Sequence, residues 1–242
     1  MWRNGGFILK EKGRFAAAAV LLIALIIACF GAGTALRQEI HEGRETSGKA
    51  KDICVLLDPG HGGIDAGKTG VNGAEEKEIN LKISLKLQKL LEKENIDVIL
   101  TRTEDERLAE TQVEDLKERV RIMNEEKPVL AVSIHQNSYH EAGVHGAQVF
   151  YYGDSAEGKK AAEAMQGVLN EKIPDNDKDA KANNSYYILK KTEIPVIIVE
   201  CGFLSNYEEA EKLADEEYQQ SVAEAVKDGI IKYIEDSGGN PA

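Results

Sequence analysis

Short, almost wholly apolar runs alternate along this chain with stretches whose apolar residues fall at helical spacing, and that alternation limits the open folds more than any other feature. The runs occupy residues 53–57, 96–101, 129–134, 147–152 and 196–199. Strands that are apolar on both faces belong in a sheet covered on both sides, and interposed helices are the crossovers that parallel strands require. Helices are expected over 76–94, where Ile79, Ile83, Leu87 and Leu90 share one face, and over 110–126, 156–172 and 216–234. A polar loop is expected over 174–184 and a short strand over 186–189. The fold class is α/β, a three-layer α/β/α sandwich around a mostly parallel mixed sheet.

The N-terminal part follows different physics. Residues 15–36 contain no charged residue, and at about 1.5 Å per residue a helix of that length spans a hydrocarbon core of ~30 Å. Arg3, Lys10, Lys12 and Arg14 precede it, which places residues 1–14 in the cytoplasm and everything from Arg37 outside. Small residues over 31–35 suit signal-peptidase cleavage, so residues 15–36 are a transmembrane anchor or a signal segment. Residues 37–51 have almost no apolar side chains and form a polar spacer. The folded domain is expected over 52–236, with a polar tail over 237–242. The formal net charge is −12 even with those basic N-terminal residues, which disfavours nucleic acid as a partner. Cys54 and Cys201 fall in or beside strand runs and, with Cys29, show no CxxC spacing, so they read as buried thiols.

Three strand ends carry residues that a core does not need. VLLDPGHGG over 55–63 empties into a glycine-rich loop presenting His61; VSIHQN presents His135; VIIVECGFLSN presents Glu200. In open α/β sheets ligands bind outside the carboxyl ends of strands, so these three converge on one edge. A helix that begins soon after the His61 loop returns Glu76 to the same edge. Two histidines and a carboxylate are a ligand set for catalytic zinc, which keeps a further position for water or substrate. An additional acid then serves as the general base, and Glu200 is the choice because an acid ending a buried strand without a function would cost stability. Physics alone leaves the metal-binding carboxylate open among Glu75, Glu76 and Glu78, since acids also favour a helix N-terminus.

Residues 62–69, GGIDAGKT, match the phosphate-loop pattern GxxxxGK[ST]. The match is misplaced: Asp58 to His61 separate it from the strand, and the turn sequence Gly70-Val71-Asn72-Gly73 follows where a helix belongs. No nucleotide is expected. His41 lies in the spacer, and His140 and His145 read as surface residues of a polar loop. Arg102, Arg119 and Arg121 are candidates for ion pairs supporting the site, and Tyr186 and Tyr187 for packing against the sheet.

Asp58-Pro59-Gly60-His61-Gly62-Gly63, then Glu76-Lys77 opening a helix with Asn80, Leu100-Thr101-Arg102, residues 121–124 before Ser133-Ile134-His135, and Glu200-Cys201-Gly202-Phe203-Leu204-Ser205-Asn206 follow one another in this chain. In that order they resemble the zinc-dependent N-acetylmuramoyl-L-alanine amidases of bacterial cell walls, over residues 53–234. The resemblance implies His61, Glu76 and His135 as Zn²⁺ ligands and Glu200 as catalytic acid/base. It implies hydrolysis of the amide between the lactyl group of N-acetylmuramic acid and the L-alanine of peptidoglycan. The N-terminal segment without wall-binding repeats, residues 135–138 and Glu200-Cys201 are most similar to the sporulation and germination branch. That branch implies spore-cortex maturation through muramic-δ-lactam, an extracytoplasmic place in the forespore envelope, and a companion lipoprotein. Many relatives have Ala where this chain has Gln136, and Thr or another residue where it has Cys201. A wall-binding or scaffolding domain with structural zinc, and a zinc peptidase acting on stem peptides, are the alternatives. One strand, one helix and a loop account for the interval between His135 and Glu200, so no inhibitory helix is expected there.

Overall fold

Parallel pairing of the central apolar runs sets the architecture in the computed structural model, which describes residues 53–239. The strands are β1 (Cys54–Pro59), β2 (Asp97–Leu100), β3 (Leu130–Asn137), β4 (Gln148–Tyr151), β5 (Lys181–Ala182) and β6 (Val196–Phe203), in the sheet order β2-β1-β3-β6-β4-β5. All neighbours pair in parallel except β4, which runs antiparallel to β6. The helices are α1 (Glu76–Lys93), α2 (Gln112–Glu126), α3 (Ala156–Lys172), α4 (Tyr187–Lys191), α5 (Tyr207–Ala214) and α6 (Glu216–Asp236).

Alternation along the strands divides the core between the two faces. Val55, Leu57, Val132, Ile134, Ile197 and Val199 pack beneath α1, α3 and α6 through residues such as Ile83, Leu87, Met165 and Val226. Leu56, Ala131, Val196 and Ile198 face the other way and meet Val120 and Met123 of α2 and Ile188 and Leu189 of α4. Burying each such aliphatic side chain contributes about 1.5–3 kcal/mol. The sandwich therefore has three layers, and the second helical layer is the thinner one. That thinner layer leaves room on its face at the carboxyl ends of β1, β3 and β6.

Four features differ from the sequence-based expectation. Residues 186–189 are not a strand: Asn183 accepts hydrogen bonds from the backbone N–H groups of Ser185 and Tyr186, and the turn leads into α4. A run of four apolar residues is too short for alternation to separate strand from helix. The loop over 174–184 contains β5, and α5 intervenes before α6, capped by the Asn206 side chain on Glu209 N–H. Finally, β3 and β6 continue pairing beyond 134 and 199, so His135 and Glu200 stand within strands rather than after them. The segments over 1–14, 15–36 and 37–51, and residues 240–242 of the tail, lie outside the described residues. Among those described, no helix is long and apolar enough to cross a membrane.

Candidate metal centre

The chain leaves β1 at Pro59, and two buried arginines gather the carbonyl groups of the departing loop. Arg102 donates from Nε to Pro59 O at 2.9 Å and from Nη2 to Gly60 O at 3.0 Å and Lys77 O at 2.8 Å. Arg119 donates to Pro59 O at 2.8 Å and to His61 O at 2.7 Å. Asp58 and Asp115 each approach Arg119 at 2.7 Å, and Asp58 also accepts from the hydroxyls of Thr101 and Ser133 at 2.6 Å. Burial pushes the Asp58 carboxyl up, but Arg119 and the two hydroxyls outweigh it and hold the group below its ordinary 3.8. This network fixes His61 at φ +61°, a left-handed conformation unusual for a residue with a side chain.

Glycine clears the space around the imidazoles. A Cβ on Gly60 would overlap the His135 ring, and one on Gly67, at φ +66°, would lie 2.6 Å from Glu76 Oε2 and 2.7 Å from His61 Cδ2. Loop and ring are thus packed to a tolerance that any methyl group exceeds.

His61, Glu76 and His135 offer ligand atoms that all lie within 4.8 Å of one another. Glu76 Oε1 is 2.9 Å from His135 Nδ1 and 3.3 Å from His61 Nε2. A zinc tetrahedron with bonds near 2.0–2.1 Å has edges of about 3.3 Å, so three donor atoms this close together are within reach of one ion. Glu76 is 4% exposed, whereas Glu78 is exposed and the Glu75 side chain is 41% exposed and paired with Lys77. Geometry therefore singles out Glu76 from the three acids. Its carboxylate also accepts from the backbone N–H of Gln136 at 3.0 Å and of Lys68 at 2.8 Å. Despite burial, His135 and His61 hold Glu76 well below the usual carboxylate range. Burial pushes His61 down, yet Glu76 and Asp65 raise it to about 9. Such a pocket favours a cation between the imidazoles and the carboxylate, and the donor set fits Zn²⁺.

Each ligand has support behind it. Asp65 Oδ2 lies 3.0 Å from His61 Nδ1, leaving Nε2 to face Glu76. Asn80 donates to Gly60 O and accepts from Gln136 Nε2 at 3.1 Å, so Gln136 serves the framework around Glu76.

Glu200 is the register partner of His135 on the neighbouring strand, so the two stand side by side on one face of the sheet. It is 7% exposed, burial pushes its carboxyl up to about 7, and its Oε2 has no hydrogen-bond partner. A carboxyl poised near neutrality and left unsatisfied is suited to taking and returning a proton. His61, Glu76, His135 and Glu200 together line a cleft of about 420 Å³, walled by Gln112 and Leu116 of α2 and by Tyr186, Tyr187 and Ile188 at α4. Tyr186 stands edge-on to Phe150 with ring centroids 5.7 Å apart, so it packs on the sheet and walls the cleft at once.

Other sequence candidates fall elsewhere. Arg121 sits on the outer face of α2 and pairs with Glu118 and Glu125, away from the site. His140 is exposed, and His145 lines a separate cavity of about 660 Å³ with Lys212 and Tyr218. Within residues 62–69 a turn is closed by Gly62 and Asp65, Thr69 bridges to Glu75, and α1 begins only at Glu76, so the phosphate-loop match lacks its helix. Cys201 is buried and Cys54 partly so. Arg119, a sequence candidate for an ion pair, does pair with Asp58 and Asp115, whereas those two acids, Asp65 and Gln112 are contributors that the sequence reading missed; for Asp65 the signal was an acid four residues after His61.

The sequence profile described as N-acetylmuramoyl-L-alanine amidase matches residues 55–232. The germination-specific N-acetylmuramoyl-L-alanine amidase of Bacillus subtilis is 34% identical over 195 residues, spanning 77% of this chain and 82% of that protein. The CwlD amidase of Clostridioides difficile, solved in complex with the GerS lipoprotein, superposes with a TM-score of 0.73 at 37% identity, covering 76% of this chain and 99% of that one. An N-acetylmuramoyl-L-alanine amidase from Clostridium difficile 630 gives 0.72 at 30% identity, covering 78% and 100%.

Proposed function

Because the chain belongs to the N-acetylmuramoyl-L-alanine amidase family, enzymes of peptidoglycan, we propose that it hydrolyses the lactyl–L-alanine amide with His61, Glu76 and His135 holding Zn²⁺ and Glu200 as acid/base. One observation carries the reading: a buried, unsatisfied carboxyl raised to about 7 stands beside three candidate ligand atoms that lie within 4.8 Å of one another. Zinc bound by three protein ligands supplies Lewis acidity toward a carbonyl oxygen and toward water. Glu200 takes the proton of the attacking water and delivers it to the departing alanine nitrogen. Asp65 holds the His61 tautomer through Nδ1, and Gln136 N–H and Lys68 N–H hold the Glu76 carboxylate. Tyr186, Tyr187 and Leu116 restrict the approach of solvent and substrate from the α2–α4 side.

The likeness to a germination-specific enzyme and to CwlD supports action in the spore cortex, in the service of muramic-δ-lactam formation. The complex of that CwlD with a lipoprotein supports a companion lipoprotein here as well. The apolar, uncharged residues 15–36 support placement of the catalytic domain, residues 52–236, outside the cytoplasm, tethered or secreted. Mass spectrometry of peptidoglycan treated with the zinc-loaded protein tests the bond. The expected products are muramoyl residues with a free lactyl carboxyl and peptides beginning at L-alanine. Cuts within the stem peptide, with the lactyl amide intact, would make the protein a peptidase instead.

A further inference from the structure

The cleft contains a cation that the hydrolytic reaction itself does not use. Lys68 lines it, and among the described residues that do so it is the only lysine or arginine, beside the acids Glu76 and Glu200. Its backbone is pinned at both ends to a metal ligand: Lys68 N–H donates to Glu76 Oε2 at 2.8 Å, and Lys68 O accepts from Glu76 N–H at 3.0 Å. The loop just before it has no slack, because Gly67 is packed against Glu76 and His61. The side chain itself is exposed. Among the described residues its ammonium pairs with no carboxylate, so folding leaves this charge to solvent or to a ligand.

We propose that Lys68 is a specificity-determining residue that pairs with a free carboxylate on the stem-peptide residue following the L-alanine, an inference that rests on the amidase reading. The dimensions agree. Two peptide residues extend at most about 7 Å, and a lysine side chain reaches about 6 Å from its α-carbon. A carboxylate on the second residue of a peptide cut beside Glu76 therefore falls within the ammonium's range. The chemistry agrees as well. A chain of formal charge −12 repels an anionic peptide in general, and a single cation carried on a held backbone at the cleft offsets that repulsion where the substrate must lie. A carboxamide at the same position would lose the charge-assisted contact while keeping its size.

The test uses the zinc-loaded full chain and two synthetic muramoyl dipeptides that differ only in a carboxylate or a carboxamide on the second residue. Wild type is expected to prefer the carboxylate by about five- to tenfold in kcat/KM, the range of a partly exposed ionic hydrogen bond, with the difference carried by KM. Lys68→Arg keeps the preference, Lys68→Met brings the ratio close to one, and Lys68→Glu reverses it. Calorimetric binding of both dipeptides to a Glu200→Gln background reports the same preference without turnover. A wild type that cleaves both alike, or a Lys68→Met that retains the wild-type ratio, overturns the role of Lys68 and leaves the amidase reading standing. A wild type that leaves both lactyl amides intact, while the protein is folded and holds zinc, overturns both.

Discussion

Asp65 illustrates how much of the site lies one residue behind the ligands. It approaches His61 Nδ1 at 3.0 Å and so leaves Nε2 to face Glu76 and the candidate metal position. Asp65→Asn is expected to weaken zinc binding by about 10–100-fold, measured by competition with a chelator, with activity recovering at excess zinc. A variant with native zinc affinity would show that His61 is oriented by its backbone alone. Asp58 acts at one remove further, through Arg119. Its folded-state pKa is depressed, so its contribution to stability is full above the ordinary value near 3.8 and disappears as pH falls through the lower folded value. Asp58→Asn, which leaves Arg119 with Asp115 as its remaining carboxylate partner, should cost about 1–3 kcal/mol at neutral pH. In urea unfolding the gap from wild type should narrow below about pH 4; a constant gap down to acid would deny Asp58 its charge.

The elements divide the labour between holding the fold and aiming the ligands. The β1–α1 loop carries His61, α1 returns Glu76, β3 carries His135 and β6 carries Glu200. The strand and helix identities of these four were legible because their apolar periodicity is strong. What was not legible was how far β3 and β6 extend, since His135 and Glu200 are polar residues inside strands whose inner ends are apolar. Pairing with each other in the sheet keeps them extended, and periodicity does not register a partner strand. The four residues of 186–189 defeated periodicity for the opposite reason, and the helix found there supplies the tyrosine wall of the cleft. Gly60→Ala tests the fit between loop and strand. Its methyl group would occupy the His135 ring position, so zinc content should fall while the far-UV circular dichroism stays native. Full zinc occupancy in that variant would mean that the loop moves aside freely.

On the scale of the folded domain, the candidate cleft lies on the thin side of the sandwich, where residues of α2 and the short α4 wall it. The two histidines and the extra acid were legible from sequence as residue types at strand ends, and Glu76 was distinguished from Glu75 and Glu78 there only by the family resemblance, whereas the mutual geometry of the four and the support from Asp65, Asp58 and Asp115 depend on contacts that periodicity does not register. The reading also predicts that removing metal abolishes cleavage of peptidoglycan and that added Zn²⁺ restores it, followed by the release of peptides with N-terminal L-alanine. The most direct test of the central assignment is the hydrolysis rate of Glu200→Gln at full zinc occupancy on a muramoyl peptide. The account predicts one zinc per chain, as in wild type, and a rate lower by about 10²–10⁴-fold, the usual contribution of a general acid/base. A zinc-loaded Glu200→Gln that cleaves the lactyl amide at the wild-type rate would contradict it.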